Sequence, residues 1–333
     1  MTMTTGAVDS NAIVKRIEGE GGMKRLGWGA LDAADFGLNA GELAVVAGRP
    51  GHGKTTVLLN TLVNWLENYP NETFVLVSHE VPVEAVVIKL LSILTRKLGR
   101  AGWSYNDLRG MLQGGAKTAP AGLDPTDVSA ALTKLRELEG RLRVVYEPGW
   151  TVEEVDAYLK SVAAAAPKLG GVFVDYLQLV AGPRSLQYES RDHEISTAAK
   201  HLKRTAVDIA VPLIAAAQIS RDVAWTVDYI PGTSLEDERV LREIVKRRPQ
   251  LHHVGEGGGD QEADLVLGIL NYRAELVSAA EAEGMNPERL AISGDASPFE
   301  ILVLKNRYGR LVTAPLIIEL RSGYIRDQGV FGK

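Results

Sequence analysis

Gly48-Arg49-Pro50-Gly51-His52-Gly53-Lys54-Thr55-Thr56 is the stretch on which the reading of this chain turns. It follows the apolar run Glu42-Leu43-Ala44-Val45-Val46-Ala47, which reads as a buried strand. It precedes Val57-Leu58-Leu59-Asn60-Thr61-Leu62-Val63-Asn64-Trp65-Leu66, whose apolar spacing predicts a helix buried on one side. Strand, glycine loop and helix form the context in which G-x-x-x-x-G-K-[ST] identifies a phosphate-binding loop. The glycines let backbone N–H groups turn inward around an anion, and the helix N-terminus adds its partial positive charge. In that reading residues Gly48 to Thr56 surround a nucleoside triphosphate. Lys54 reaches the β- and γ-phosphates, and the Thr55 hydroxyl faces Mg²⁺. The plain alternative is a glycine-rich turn that carries Lys-Thr by chance, and both flanks argue against it.

Outward from the loop, Thr73-Phe74-Val75-Leu76-Val77-Ser78 predicts a second buried strand, ended by His79-Glu80-Val81-Pro82 and a helix from Val83 to about Leu98. Glu80 therefore lies just beyond a strand end, where open α/β sheets place their ligands. Two readings stand there: a carboxylate that orients or deprotonates an attacking water, or one that caps the next helix. Another apolar run, Val172-Phe173-Val174, ends in Asp175, the carboxylate a phosphate loop needs as its metal partner. The run Val211 to Ala217 ends in Gln218, a neutral side chain suited to a γ-phosphate or its water. Helix starts are marked by Asp124-Pro125 and by the capping box Thr151-Val152-Glu153-Glu154. Residues 99–126 read as a polar surface excursion, 251–259 as a glycine-rich loop, and 273–297 as an excursion with one helix. The polar loop 181–191 carries Arg184 and Arg191, and Lys246-Arg247-Arg248-Pro249 ends a charged stretch that is most simply a solvated face. Leu265 to Leu270 predicts a strand, then Phe299 to Leu304 and Thr313 to Leu320 a hairpin. Lys305 and Arg307 lie at its tip, where two exposed cations need no function. Alternation of β and α predicts an α/β fold: a mainly parallel sheet flanked by helices, with a C-terminal antiparallel hairpin edge.

Composition sets bounds. The chain has 333 residues, 45% hydrophobic and 24% charged, enough for a sizeable core. It has no cysteine, which excludes disulfides and cysteine-ligated zinc. No signal peptide and no apolar run of membrane-spanning length are present, so a soluble, cytoplasmic protein with no membrane partner is expected. The net charge of -5 leaves nucleic acid to a local basic surface. Residues 1–25 read as an arm, in which Asn11 to Glu18 forms a short helix that either frays or docks on a neighbouring subunit. The length allows about two domains or one large α/β domain with an arm, and residues 26–333 read as that single ATPase motor domain.

Four segments in this order resemble the motor domain of DnaB-type replicative helicases. They are Ala47-Gly48-Arg49-Pro50 with the phosphate loop, Ser78-His79-Glu80-Val81-Pro82, Val174-Asp175-Tyr176-Leu177-Gln178-Leu179, and Leu304-Lys305-Asn306-Arg307-Tyr308-Gly309. The resemblance implies a RecA-like P-loop NTPase acting as a hexameric ring, with ATP and Mg²⁺ as cofactors and single-stranded DNA threaded through it. It assigns Lys54 and Thr55 to phosphate and metal, Asp175 to the metal, Glu80 as catalytic base and Gln218 as γ-phosphate sensor. Lys305 and Arg307 would be delivered to a neighbour's nucleotide, Arg307 as the arginine finger. DNA contacts fall to Arg184, Arg191, Arg221, Arg247, Arg248, Glu256 and Gly257, and a primase or a loader protein is an implied partner.

Three departures from the family pattern stand out. Its N-terminal collar domain is not found ahead of the motor. An insertion runs roughly from Ala224 to Glu243. The second DNA loop, Val254-Gly255-Glu256-Gly257, keeps a glutamate and lacks the preceding arginine, for which Arg242, Lys246, Arg247 or His252 would substitute. An ATP-dependent DNA helicase is the leading expectation. The alternative is a DNA-remodelling, recombinase-like or loading ATPase without unwinding.

Overall fold

The computed structural model describes residues 22–99, 101–114, 119–183, 185–219, 238–255, 259–282 and 294–328. A ribbon of β1 (Lys24–Arg25) and β2 (Gly37–Leu38) brackets the short helix α1 (Gly29–Asp32) and leads into β3 (Leu43–Gly48). The glycine loop turns into α2 (Lys54–Asn68), followed by β4 (Thr73–Ser78) and α3 (Val83–Leu98). Helices α4 (Tyr105–Leu112) and α5 (Pro125–Glu139) precede β5 (Leu142–Tyr146), and α6 (Val152–Ala165) precedes β6 (Leu169–Asp175). A 3₁₀ turn at Leu177–Leu179 is followed by α7 (Arg191–Asp208), β7 (Leu213–Gln218), α8 (Glu238–Lys246) and α9 (Leu251–Gly255). Then come β8 (Leu265–Asn271), α10 (Tyr272–Ala282), β9 (Ala296–Asn306), β10 (Thr313–Glu319) and β11 (Tyr324–Asp327).

Nine strands form one sheet in the order β11-β10-β9-β8-β3-β7-β6-β4-β5. The block from β8 to β5 is parallel, and β9, β10 and β11 continue it antiparallel. The apolar runs lack polar alternation because both faces of the sheet are covered. Along β3, Ala44 and Val46 enter one core while Leu43, Val45 and Ala47 enter the other. Phe74 and Leu76 against Val75 and Val77 repeat the division on β4. The first core is closed by α2, α3, α4 and α5 around Trp65, which packs on Phe173 at 5.1 Å between ring centroids. The second is closed by α6 and α7 through Leu159, Ala199 and Leu202.

The predicted α/β sheet with an antiparallel edge is the observed fold, and several local readings change. The stretch 99–126, read as a surface excursion, contains α4, capped by Ser104 and Asp107 in a reciprocal box. Leu108 within it and Trp103 just before it are buried in the first core, so the excursion is part of the packed domain. Arg191, read as a loop residue, is the first residue of α7, and α9 occupies the start of the glycine-rich loop. Lys24 and Arg25, read as the end of an arm, are built in: Lys24 pairs with buried Glu72, and the Arg25 carbonyl accepts the Trp65 indole N–H at 2.8 Å. The helix read over Asn11 to Glu18 lies outside the described residues. Among the described residues no helix is long and apolar enough to cross a membrane. Leu108→Ala should lower unfolding free energy by about 2–5 kcal/mol in denaturant titration, because it opens a cavity in a filled core. A surface excursion would show almost no change.

Candidate nucleotide-binding site

Parallel strands bring their C-terminal ends to one edge, and the candidate residues collect there. Gly48 pairs with Gln218 across β3 and β7, and Ser78 pairs with Asp175 across β4 and β6. Glu80 follows Ser78 by two residues, and the phosphate loop follows Gly48. Sequence positions 48, 80, 175 and 218 thus become neighbours along a single edge. Gly48 is required by packing, since a Cβ there would run into Ile269 of β8. Gly53 sits at φ +96° and caps α2, a conformation that strains any side chain.

Lys54 Nζ donates to the carbonyls of Gly48 and Arg49, both at 3.1 Å. Burial pulls its pKa down, while Asp175 and Glu80 pull it up. Thr55 Oγ1 donates to Asp175 Oδ2 at 2.8 Å, closing the gap between the start of α2 and the end of β6. The other carboxylate oxygen, Asp175 Oδ1, is buried with no hydrogen-bond partner among the described residues. Burial raises the Asp175 pKa, Thr55 opposes that, and Glu80 adds to it. A buried carboxylate oxygen beside a threonine hydroxyl fits a Mg²⁺ ion, which takes one or two protein oxygens and fills its shell with phosphates and water. Glu80 is exposed and does not cap α3, whose N-cap is Pro82 with no side-chain bond. The capping alternative is thereby removed, and the carboxylate stands open at the strand edge.

Gln218 is held by a residue that sequence reasoning quoted only as part of a motif. The Gln178 side chain accepts from the Gln218 N–H at 2.9 Å and donates to its carbonyl at 2.9 Å. Arg191 in turn donates to the Gln178 carbonyl and to Glu194. Two loop residues send their side chains inward. Arg49 and His52 are buried and turned toward Glu275 of α10, so of these two residues only the backbone faces the loop. Glu275 was missed because it sits in a stretch read as an excursion with one helix.

The remaining candidates lie elsewhere. Arg307 N–H donates to the Asp264 carbonyl, and Asp264 is bonded to Leu43 at the start of β3. Since β3 spans six residues, this end is ~16 Å from Gly48 at ~3.3 Å per residue. Arg307 reaches Asp264 Oδ1 at 3.0 Å and stays 59% exposed, while Lys305 Nζ donates to the carbonyls of Asp260 and Gln261. Neither is brought to the phosphate loop of its own chain. Of the DNA candidates, Arg247 is corrected: its side chain is buried on Glu275 at 2.6 Å. Arg248 is clamped by both oxygens of Glu300 at 2.7 Å each, and Arg191 remains half exposed. Arg184, Arg221, Glu256 and Gly257 lie outside the described residues.

A central parallel sheet with a phosphate loop, an acidic strand end and a glutamine strand end on one edge defines a RecA-like P-loop domain. Residues 24–324 match the model of the DnaB-like helicase C-terminal domain, and the chain belongs to that family. The replicative DNA helicase DnaB of Helicobacter pylori is 26% identical over 305 residues, covering 85% of this chain and 55% of the relative. That of Pasteurella multocida is 28% identical over 313 residues, covering 89% and 59%. The chain therefore spans a little over half the length of these relatives. Two solved structures share its fold at 20% identity. One is an ATPase domain, with a TM-score of 0.70 over 97% of this chain and 99% of that one. The other is a DnaB-like replicative helicase described with its interactions with primase, with a TM-score of 0.67 over 97% and 67%.

His52 offers a test of the buried loop wall. Burial first, then the Arg49, Lys54 and Arg247 charges, lower its pKa from 6.5 to about 3. The unfolded chain takes up this proton below about pH 6.5 and the folded chain does not, so the stability contribution is present above that pH and lost as pH falls. Between pH 7.5 and pH 5 the wild type should lose about 2 kcal/mol more than His52→Gln in parallel denaturant titrations. Equal losses would place the ring in water.

Proposed function

We propose that this chain is the motor of an ATP-dependent DNA helicase of DnaB type, working as a homo-hexameric ring on single-stranded DNA. The observation that carries the proposal is the separation of two half-sites on one sheet. Lys54, Thr55, Glu80, Asp175 and Gln218 gather at one edge, while Lys305 and Arg307 stand at the opposite end of the same strands. Such a chain holds a nucleotide at one end and offers cations to another chain's nucleotide at the other. Turnover then depends on assembly, and a ring closes the arrangement without a free end.

Lys54 and the loop N–H groups bind the β- and γ-phosphates of ATP. Thr55 and Asp175 would hold Mg²⁺, which when bound would neutralise the charge that develops on the phosphates. Glu80, exposed at the strand edge, orients water for attack on the γ-phosphate, and Gln218 registers whether that phosphate is present. A cavity of about 200 Å³ beside Thr56, lined also by Lys89, Tyr105, Arg321 and Ser322, has the position and polarity to take the nucleoside. The DNA strand runs along the loops after Asp175 and Gln218. Each base-pair step resists separation by about 1.4 kcal/mol, within reach of a hydrolysis cycle coupled to the strand. Primase or a loader is the natural protein partner of such a motor.

The burial of Arg247 takes away one of the cations named as substitutes for the arginine missing from the second DNA loop, and favours, as a second reading, a remodelling or loading ATPase that does not separate strands. Strand displacement on a forked duplex with ATP decides between them, with Glu80→Gln as the inactive control. Displacement by the wild type establishes the helicase, whereas DNA-stimulated hydrolysis without displacement selects the second reading. Lys54→Ala and Arg307→Ala should each lose turnover by about a thousandfold, and mixing the two should recover part of it at mixed interfaces. Failure to recover would rule out delivery of Arg307 in trans.

A further inference from the structure

The phosphate loop is braced from behind by a carboxylate that the nucleotide reading leaves without a task. Glu275, near the start of α10, has no exposed surface. It accepts from Arg49 Nη1 and from Arg247 Nε, and His52 Nε2 stands 3.8 Å from it. Arg49 also donates from Nη2 to the Arg247 carbonyl at 3.0 Å. One carboxylate and one guanidinium therefore tie together the phosphate loop, the turn after α8 and the start of α10. These segments lie 226, 198 and 28 residues apart in pairs. Two guanidinium groups thus meet on one carboxylate directly behind a loop shaped for a polyanion.

The bracing continues toward the DNA side. Arg248, next to Arg247, is gripped by Glu300 of β9, and the Tyr272 hydroxyl donates to the same carboxylate at 2.8 Å. Arg247 is thus tied to the phosphate loop and Arg248 to the sheet. They lead directly into α9 and the glycine-rich stretch read as a DNA contact.

We propose that Glu275 is a positioning residue of the nucleotide site. Acting through Arg49 it sets the shape of the phosphate loop, and through Arg247 it passes that shape to the segment entering the glycine-rich loop. Both arginines act by where they hold backbone. The inference rests on the nucleotide-binding reading above.

The test measures the affinity of the full chain for a fluorescent, non-hydrolysable ATP analogue with Mg²⁺, with and without a saturating oligo-dT strand. Glu275→Gln, which keeps the shape and removes the charge, should weaken nucleotide binding by roughly tenfold or more, and Glu275→Asp should restore part of it. In Arg247→Met the effect of the strand on nucleotide affinity should shrink to less than about twofold, a change that a purely structural role would not produce. Thermal melting followed by circular dichroism establishes that each variant is folded. If Glu275→Gln does not fold, Arg49→Lys carries the test, because an ammonium cannot bridge Glu275 and the Arg247 carbonyl as a guanidinium does. Lys54→Ala separates the two ways of failing. A wild type that does not bind the analogue overturns the nucleotide reading, and this inference with it. A wild type that binds, a Lys54→Ala that does not, and unchanged affinity in the Glu275 and Arg49 variants overturn the inference alone. A wild type whose nucleotide affinity ignores the strand overturns the coupling.

Discussion

Burial of the central strands on both faces is the constraint from which the rest of the molecule follows. With helices packed on each side, β3, β4, β6 and β7 run parallel, and their C-terminal ends have to fall on one edge. That edge brings the glycine loop, Asp175, Glu80 and Gln218 together although they are scattered along the chain. The Thr55–Asp175 hydrogen bond is the local expression of this constraint, because it joins the helix that follows β3 to a strand two positions away in the sheet.

The electrostatics of the edge are those of a site built for multivalent charge. Asp175 is buried and Lys54 half-buried, each with its charged form disfavoured by burial and partly restored by the other. An unpartnered buried oxygen on Asp175 costs free energy unless something fills it, which is how a site keeps affinity for a cation. Asp264 at the far end works in the opposite way. It accepts from Leu43, Lys203 and Arg307, and Lys203 and its other partners hold its pKa below the usual range despite burial. Asp264 thereby holds Arg307 at the end of the sheet away from its own chain's loop.

How far a buried charge can be trusted as a binding group depends on its partner. Arg49 and Arg247 are both cations in plausible motifs, one in the phosphate loop and one in a basic run, and both are committed to Glu275. Removing Glu275 would take the shared carboxylate from both, a cost of several kcal/mol on the scale of broken buried pairs. Their role is therefore architectural at the phosphate loop and the segment beyond α8. Among the described candidate arginines, Arg307 and Arg191 keep the larger part of their side chains open to solvent.

The sequence by itself determined the sheet class, the phosphate loop, the strand ends at Asp175 and Gln218, and the helix caps at Asp124 and Thr151. These are short-range matters. A run of apolar residues, a glycine that must take a positive φ, or a capping pair three residues apart carries its own stereochemical signal. The tertiary structure alone decided that Arg49 and His52 turn inward, that Gln178 clamps Gln218, that residues 99–126 harbour a packed helix, and that Arg307 stands at the far end of the sheet from its own chain's site. Each of these depends on which distant segments the strand order sets side by side. A buried charge takes whatever partner that order supplies, and no local pattern around Arg49 announces that its partner is Glu275, 226 residues away.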